Sequence, residues 1–147
     1  DQAFAGGELA EDPYDWFAQD DDGNVWYFGE DTHEIDKGRA VSADGSWEAG
    51  VDGALPGIVM LARPLASLWY RQEFYAGQAE DLGQVVSLNE TVTTPAGTFT
   101  GCLKTLDTNA LEPGVEEYKW YAPGVGVVRE QEVKGGSDFV ELIELRP

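Results

Sequence analysis

Oxygen-bearing side chains are concentrated at one predicted turn and just beyond it. Three consecutive aspartates at 20–22 are followed by Gly23 and Asn24, and more acids follow within a few residues. Hard cations such as Ca²⁺ prefer several oxygen ligands on a flexible loop, but this spacing lacks the final glutamate of an EF-hand. The turn is therefore the leading candidate for a Ca²⁺ site, with an ordinary turn in an acidic protein as the alternative. The candidate ligands are Asp20, Asp22, Asn24, Glu30 and Asp31.

Hydrolytic chemistry has weaker support in the sequence. A pair of carboxylates can cleave glycosidic bonds, but with 28 acidic residues some pairs are expected by chance. A Ser-His-acid triad would need His33, the only histidine, and no serine stands in a nucleophile motif. We therefore predict no catalytic residues and keep an unrecognised carboxylate hydrolase as an alternative. The glutamates considered for it are Glu73, Glu112, Glu116 and Glu130.

Aromatic side chains could form a binding groove for a sugar or an apolar molecule. The chain has five Trp and six Tyr, and large aromatic residues also dominate the cores of β proteins. The alternative is therefore that Trp16, Trp26, Tyr27, Trp69 and Trp120 fill the core. Trp47, in a Gly-rich segment, is the one we expect to be exposed. The candidate ligand-binding residues are Trp47, Trp69, Tyr70 and Trp120.

Two further side chains could be modified or could react, namely those of Asn89 and Cys102. Asn89 begins an Asn-Glu-Thr sequon, which matters only if the protein is exported in a host that glycosylates such sites. Cys102 is the only cysteine, so the chain has no internal disulfide and no thiolate metal cluster. We predict that Cys102 is a small buried hydrophobic residue.

The charge of the chain excludes some partners. Its net charge of -19 repels phosphate backbones, so nucleic-acid binding is not expected. No apolar run is long enough to span a bilayer, so no membrane insertion is expected. Because the first residue is Asp1 rather than Met, we expect a processed or trimmed N-terminus.

The elements that must position these residues are predicted to be strands. Aromatic-rich runs at 14–19 and 25–30 flank the acidic turn, which predicts a β-hairpin, and aromatic residues on both faces predict a central place in a sheet. Short strands separated by turn residues after position 115 predict an antiparallel meander. We predict one all-β domain over 1–147 that forms a curled sheet, half-barrel or barrel, with at most one short helix. Residues 1–12 would be an edge strand or a strand exchanged between subunits.

Several motifs carry a resemblance that spans nearly the whole chain. The segments 15–20, 23–31, 45–54, 70–73, 111–114 and 121–128 resemble a family of small exported bacterial and archaeal proteins without an assigned function. This resemblance implies export and a β-rich fold, and it transfers no catalytic residue. Segments 92–99 and 121–126 more weakly resemble periplasmic half-barrel carriers of lipoproteins, although a lipobox cysteine is lacking.

These observations favour a non-enzymatic protein outside the cytoplasm. The first hypothesis is a self-associating structural subunit of the extracellular space or cell surface, steadied by Ca²⁺ and with copies of itself as partners. The second is a periplasmic half-barrel carrier that binds a small apolar or sugar ligand. No cofactor other than Ca²⁺ is predicted.

Overall fold

The computed structural model describes residues 3–5, for which only the backbone is considered, and residues 7–146. These residues form fifteen β-strands and no helix, so no helix among them could cross a membrane. The strands are β1 (Ala3–Ala5), β2 (Glu8–Glu11), β3 (Tyr14–Gln19), β4 (Val25–Asp31), β5 (Glu34–Asp36), β6 (Arg39–Ser42), β7 (Trp47–Glu48), β8 (Leu55–Met60), β9 (Trp69–Arg71), β10 (Glu73–Phe74), β11 (Asp81–Thr94), β12 (Gly97–Asn109), β13 (Glu116–Ala122), β14 (Gly126–Lys134) and β15 (Phe139–Glu141).

The strands assemble into three open sheets. Their orders are β1-β2-β5-β6, then β10-β8-β4-β3 with β7 also paired to β4, and finally β15-β14-β13-β12-β11-β9. Where the register is described, each pairing is antiparallel, as between β3 and β4 or between β11 and β12. The predicted all-β antiparallel class is confirmed, and none of the three sheets closes on itself.

The chain divides into two compact units. One consists of residues 1–62 with 71–80, and the other of residues 63–70 with 81–147. The predicted single domain over 1–147 stays a prediction. In the first unit β1 is the terminal strand of its sheet and pairs with β2, and exchange of residues 1–12 between subunits likewise stays a prediction.

The second unit is built on the predicted meander. Strands β11 to β15 follow one another in the sheet in chain order, and β11 and β12 form a long hairpin over the turn at 95–96. One core cluster consists of Val92, Cys102, Trp120, Ala122 and Val128, and Cys102 is fully buried. The predicted burial of Cys102 is therefore confirmed.

The first unit contains the predicted hairpin, but not in the predicted place. Strands β3 and β4 have almost the predicted bounds, and β4 is central because it pairs with β3, β7 and β8. Strand β3 is instead terminal, and all six of its residues are exposed. Trp16 and Phe17 are 45% and 53% exposed, so the expectation that Trp16 fills the core is wrong. Alternating aromatic residues predicted a strand correctly, but they could not show that no described strand pairs with the outer edge of β3.

Candidate functional site

The acidic turn is organised by one carboxylate. Asp20 accepts hydrogen bonds from the backbone N–H groups of Asp22 (3.0 Å) and Asn24 (2.8 Å). It also accepts from Asn24 Nδ2 (2.9 Å) and Trp26 Nε1 (2.8 Å), while Asn24 Oδ1 accepts from the backbone N–H of Ala62 (2.9 Å). The indole of Trp26 and the amide of Asn24 lower the pKa of Asp20 to about 2. The oxygens of Asp20 and Asn24 are thus already acceptors for the turn itself.

The structure does not gather the five predicted Ca²⁺ ligands. Asp20, Asp22 and Asn24 lie at the hairpin turn, whereas Glu30 and Asp31 lie at the other end of β4. Glu30 follows Val25 by five positions along an extended strand, which corresponds to about 16 Å. Within the described chain, no three His, Cys, Asp or Glu side chains form a group that could hold a metal ion. Binding of Ca²⁺ therefore stays a prediction, now with two separate sets of oxygens.

A β-bulge near the end of β4 brings a second segment against it. The register pairs Asp15 with Glu30 and Phe17 with Tyr27, so Trp16 lies opposite Phe28 and Gly29 together. The φ of Gly29 is 132°, and a Cβ there would collide with the backbone carbonyl of Trp47. Only glycine combines this φ with so close an approach of β7. The bulge and Gly29 thus set the position of β7.

We expected Trp47 to be exposed in a loop, and this expectation is wrong. It begins β7, pairs with Glu30, and is only 5% exposed. Its ring packs edge-on against Tyr27 at 5.3 Å, and Tyr27 stacks on Phe17 at 4.9 Å. Burial and the hydrogen bond that the Tyr27 hydroxyl donates to Asp15 (2.8 Å) raise the pKa of Tyr27. The Gly-rich composition around Trp47 predicted a loop, but the segment pairs with β4 and the indole is covered.

A cleft of about 320 Å³ lies in the first unit beside Trp47. Its volume is at the lower end of the range of small-molecule sites, about 300–1,000 Å³. Three carboxylates, one hydroxyl and two indoles line it, and no Lys or Arg of the described residues does. The lining residues are Trp16, Glu30, Asp31, Ser46, Trp47 and Glu48.

Hydrogen bonds fix part of the wall of this cleft. Ser46 Oγ accepts from the backbone N–H of Thr32 (3.0 Å) and donates to its carbonyl (3.1 Å). The Thr32 hydroxyl donates to Glu11 (2.9 Å), and Thr32 is only 3% exposed. His33 Nδ1 lies 3.7 Å from the Asp31 carboxylate. The segment that carries Ser46 and Trp47 is therefore attached near the end of β4 by the two Ser46–Thr32 hydrogen bonds and by the pairing of β7 with β4.

One residue that lines the cleft has a polar atom without a partner among the described residues. Trp47 Nε1 is buried and has no hydrogen-bond partner in the part of the chain that the structure describes. An unsatisfied buried donor costs about 1–3 kcal/mol. An acceptor that reached this N–H would recover that free energy. Because Nε1 is covered, a ligand atom could reach it only if the side chains around it moved.

The other predicted ligand-binding residues lie in the second unit and do not join this cleft. Trp69 is 47% exposed on β9, and the neighbouring Tyr70 is half-buried. Trp120 is 9% exposed and belongs to the core, where its ring packs edge-on against Tyr118. The alternative that Trp120 fills the core is therefore confirmed. Lys104 Nζ lies 3.6 Å from the centre of the Tyr118 ring.

The glutamates considered for hydrolysis are separated. Glu73 belongs to the first unit, and Glu112 lies exposed in the turn before β13. Glu116 pairs with Lys134 (2.6 Å), and Glu130 lies opposite Lys119 in the register of β13 and β14. Because side chains alternate along β13, Glu116 and Glu130 lie on opposite faces of the sheet. The absence of enzymatic activity stays a prediction.

A polar cluster on β12 and β13 was not predicted from the sequence. Lys119 Nζ lies 3.6 Å from Asp107 and 3.4 Å from Glu117, and Asp107 is 8% exposed. Burial alone would lower the pKa of Lys119, but the neighbouring carboxylates, Asp107 first, raise it above its ordinary value. Burial raises the pKa of Glu117. Alternation at 105, 107, 117 and 119 is the signal that could have placed these residues on one face.

The predicted glycosylation site is accessible. Asn89 lies exposed on β11, in a stretch where the pairing with β12 is irregular between Ser87 and Glu90. Accessibility is necessary for glycosylation but does not establish it. Modification of Asn89 stays a prediction.

Comparisons with known proteins bear mainly on the second unit. The sequence model of the DUF3108-like family, whose acronym denotes a domain of unknown function, matches residues 79–140. Over this segment the predicted resemblance to a β-rich family without an assigned function is confirmed. No curated protein matches the chain. A solved structure from Bacteroides fragilis NCTC 9343, provisionally described as an exported protein with a YmcC-like fold, is 18% identical. The match covers 96% of this chain and 90% of that one, with a TM-score of 0.41.

Proposed function

We propose that this protein is a non-enzymatic binding protein that takes a small sugar in the cleft beside Trp47. The observation that carries the proposal is the cleft that Trp16 and Trp47 line, together with the buried indole N–H of Trp47, which has no hydrogen-bond partner among the described residues. Sugar rings present apolar C–H faces that pack on indoles, and their hydroxyls both donate and accept hydrogen bonds. The three carboxylates would accept from hydroxyls, and an oxygen of the sugar would accept from Trp47.

This proposal develops the second of the two hypotheses drawn from the sequence. An apolar ligand would fit less well, because it would remove water from the carboxylates of Glu30, Asp31 and Glu48 without offering them a hydrogen-bond donor. The location outside the cytoplasm follows from the sequence resemblance. Fractionation of cells that express the native gene tests that location separately from binding.

Tryptophan fluorescence during titration with a panel of hexoses, hexosamines and uronic acids tests the proposal. Trp16→Ala should weaken binding about tenfold, because it removes the exposed indole platform. Trp69→Ala is the matched control, since Trp69 is 47% exposed and Trp16 45%. A loss of affinity in Trp69→Ala but not in Trp16→Ala would place the site on β9 and contradict the proposal.

Self-association is a second candidate, and the exposed edge of β3 favours it. Among the described strands β3 pairs with β4 alone, and Tyr14 and Phe17 on it are 63% and 53% exposed. Such an edge can pair with another chain. If it does, light scattering after size exclusion should show an oligomer that Tyr14→Lys dissociates. Leu65→Lys, at a side chain that is 64% exposed outside any strand, should leave the oligomer intact.

A further inference from the structure

We propose that the sugar bound in this cleft carries a free amine, so that the ligand is an amino sugar in its ammonium form. The inference rests on the proposed function and narrows it to one chemical class. It is drawn from the charge of the cleft and from the partner that Trp47 lacks.

The charge of the lining residues favours a cation. Glu30, Asp31 and Glu48 contribute three carboxylates, and no Lys or Arg lines the cleft in the part of the chain that the structure describes. His33 Nδ1 lies 3.7 Å from Asp31 and would carry a positive charge when protonated. The net charge of -19 also attracts cations towards the surface. An ammonium group would balance part of this negative charge, which a neutral sugar would not do.

The aromatic part of the cleft favours a sugar ring over a bare cation. A metal ion would engage carboxylates but would use neither the Trp16 face nor the Trp47 N–H. An amino sugar offers an ammonium for the carboxylates, a C–H face for Trp16, and a ring or hydroxyl oxygen for Trp47. The volume of about 320 Å³ limits the ligand to a small molecule.

Indole N–H resonances of ¹⁵N-labelled protein provide the test. Trp47 Nε1 has no acceptor among the described residues, whereas Trp26 donates to Asp20 and serves as an internal reference far along β4. Glucosamine, N-acetylglucosamine and glucose are titrated at about pH 6, where an amine of this kind is protonated. Glucosamine should shift the Trp47 resonance and bind about tenfold more tightly than the two neutral sugars. The Trp26 resonance should not move.

A charge variant tests the role of the carboxylates without removing the core indole. Glu48→Gln should lower the preference for glucosamine over glucose to about twofold or less. Glu34→Gln removes the same charge from an exposed position on β5, outside the cleft, and should keep the full preference. The preference should also shrink when NaCl is raised from about 0.02 M to about 0.5 M, because screening weakens the ammonium–carboxylate attraction.

The outcomes separate the two proposals. Equal binding of all three sugars with a shift of Trp47 would overturn the amino-sugar inference and leave sugar binding supported. No shift of the Trp47 or Trp16 resonance with any sugar would overturn both. Binding of glucosamine that shifts other resonances but neither of these would overturn the assignment of the cleft.

Discussion

A single carboxylate, Asp20, organises the turn between β3 and β4. It accepts two backbone and two side-chain hydrogen bonds, and the strongest influence on its pKa is the indole of Trp26. An Asp-rich turn therefore need not be a metal site, because the oxygens of a carboxylate can accept hydrogen bonds from N–H groups instead of binding a cation. The composition of the turn could predict a hairpin, but it could not show that these oxygens were already engaged.

The low pKa of Asp20 makes the stability of the hairpin depend on pH. Its pKa is about 2 in the folded protein against an ordinary 3.8, so its contribution is complete above about pH 4 and is lost as the pH falls through 2. Asp20→Asn should be less stable than wild type at neutral pH, and the gap in Tm should close between about pH 4 and pH 2. Asp21→Asn, a neighbour in the same turn, is the control for net charge. Parallel Tm curves for wild type and Asp20→Asn would contradict the prediction.

Gly29 is the residue on which the shape of the cleft depends most directly. Gly29→Ala should destabilise the protein by about 2–4 kcal/mol, because it adds backbone strain at a φ of 132° and a clash with the Trp47 carbonyl. Urea unfolding measures the change. Gly50→Ala is the control, since Gly50 also has a positive φ, of 89°, but no atom within 4 Å of an added Cβ. Equal losses in the two variants would show that the clash has no cost.

At the scale of elements, local sequence patterns predicted the hairpins, whereas pairing between segments distant in sequence determines where the cleft forms. The bounds of β3 and the order of β11 to β15 follow from alternation and turn residues, which are local signals. The place of β7 against β4 is not local, because it depends on a bulge at Gly29 and on the Ser46–Thr32 hydrogen bonds. Trp16, Ser46 and Glu48 were therefore missed as a group, and Trp47 was expected to be exposed.

The pairing of β12 with β13 brings together a cluster of charged side chains, and we expect this cluster to stabilise the folded protein. Lys119→Met would leave Asp107 and Glu117 without their cation, at a cost of about 3 kcal/mol at neutral pH. Chemical denaturation checks this value. Lys134→Met removes the exposed partner of Glu116 on the same sheet and should cost less than about 1 kcal/mol. Similar losses in both variants would mean that the position of Lys119 gives it no special role.

At the scale of the whole molecule, the excess of acids over bases dominates. With a net charge of -19, the folded chain repels itself, and the unfolded chain relieves that repulsion by expanding. The pairs that oppose it are few among the described residues, and several of them lie at exposed side chains, such as Lys37 with Asp36. The cleft concentrates the same charge on one side of Trp47, so a cationic ligand would relieve repulsion as well as fill a site.

Salt should therefore stabilise this protein, and Ca²⁺ should add to that effect only if it binds specifically. Raising NaCl from about 0.01 M to about 0.5 M shortens the screening length from about 30 Å to well below 10 Å. We expect a gain of about 1 kcal/mol, which corresponds to a rise in Tm of about 4 °C. Potassium chloride at the same concentrations should act alike, and a fall in Tm would contradict the repulsion argument.

Adding about 1 mM CaCl₂ to the high-salt sample changes the screening very little. A further rise in Tm would then support the predicted cation site, and Asp20→Asn and Glu30→Gln would show which end of β4 holds the ion.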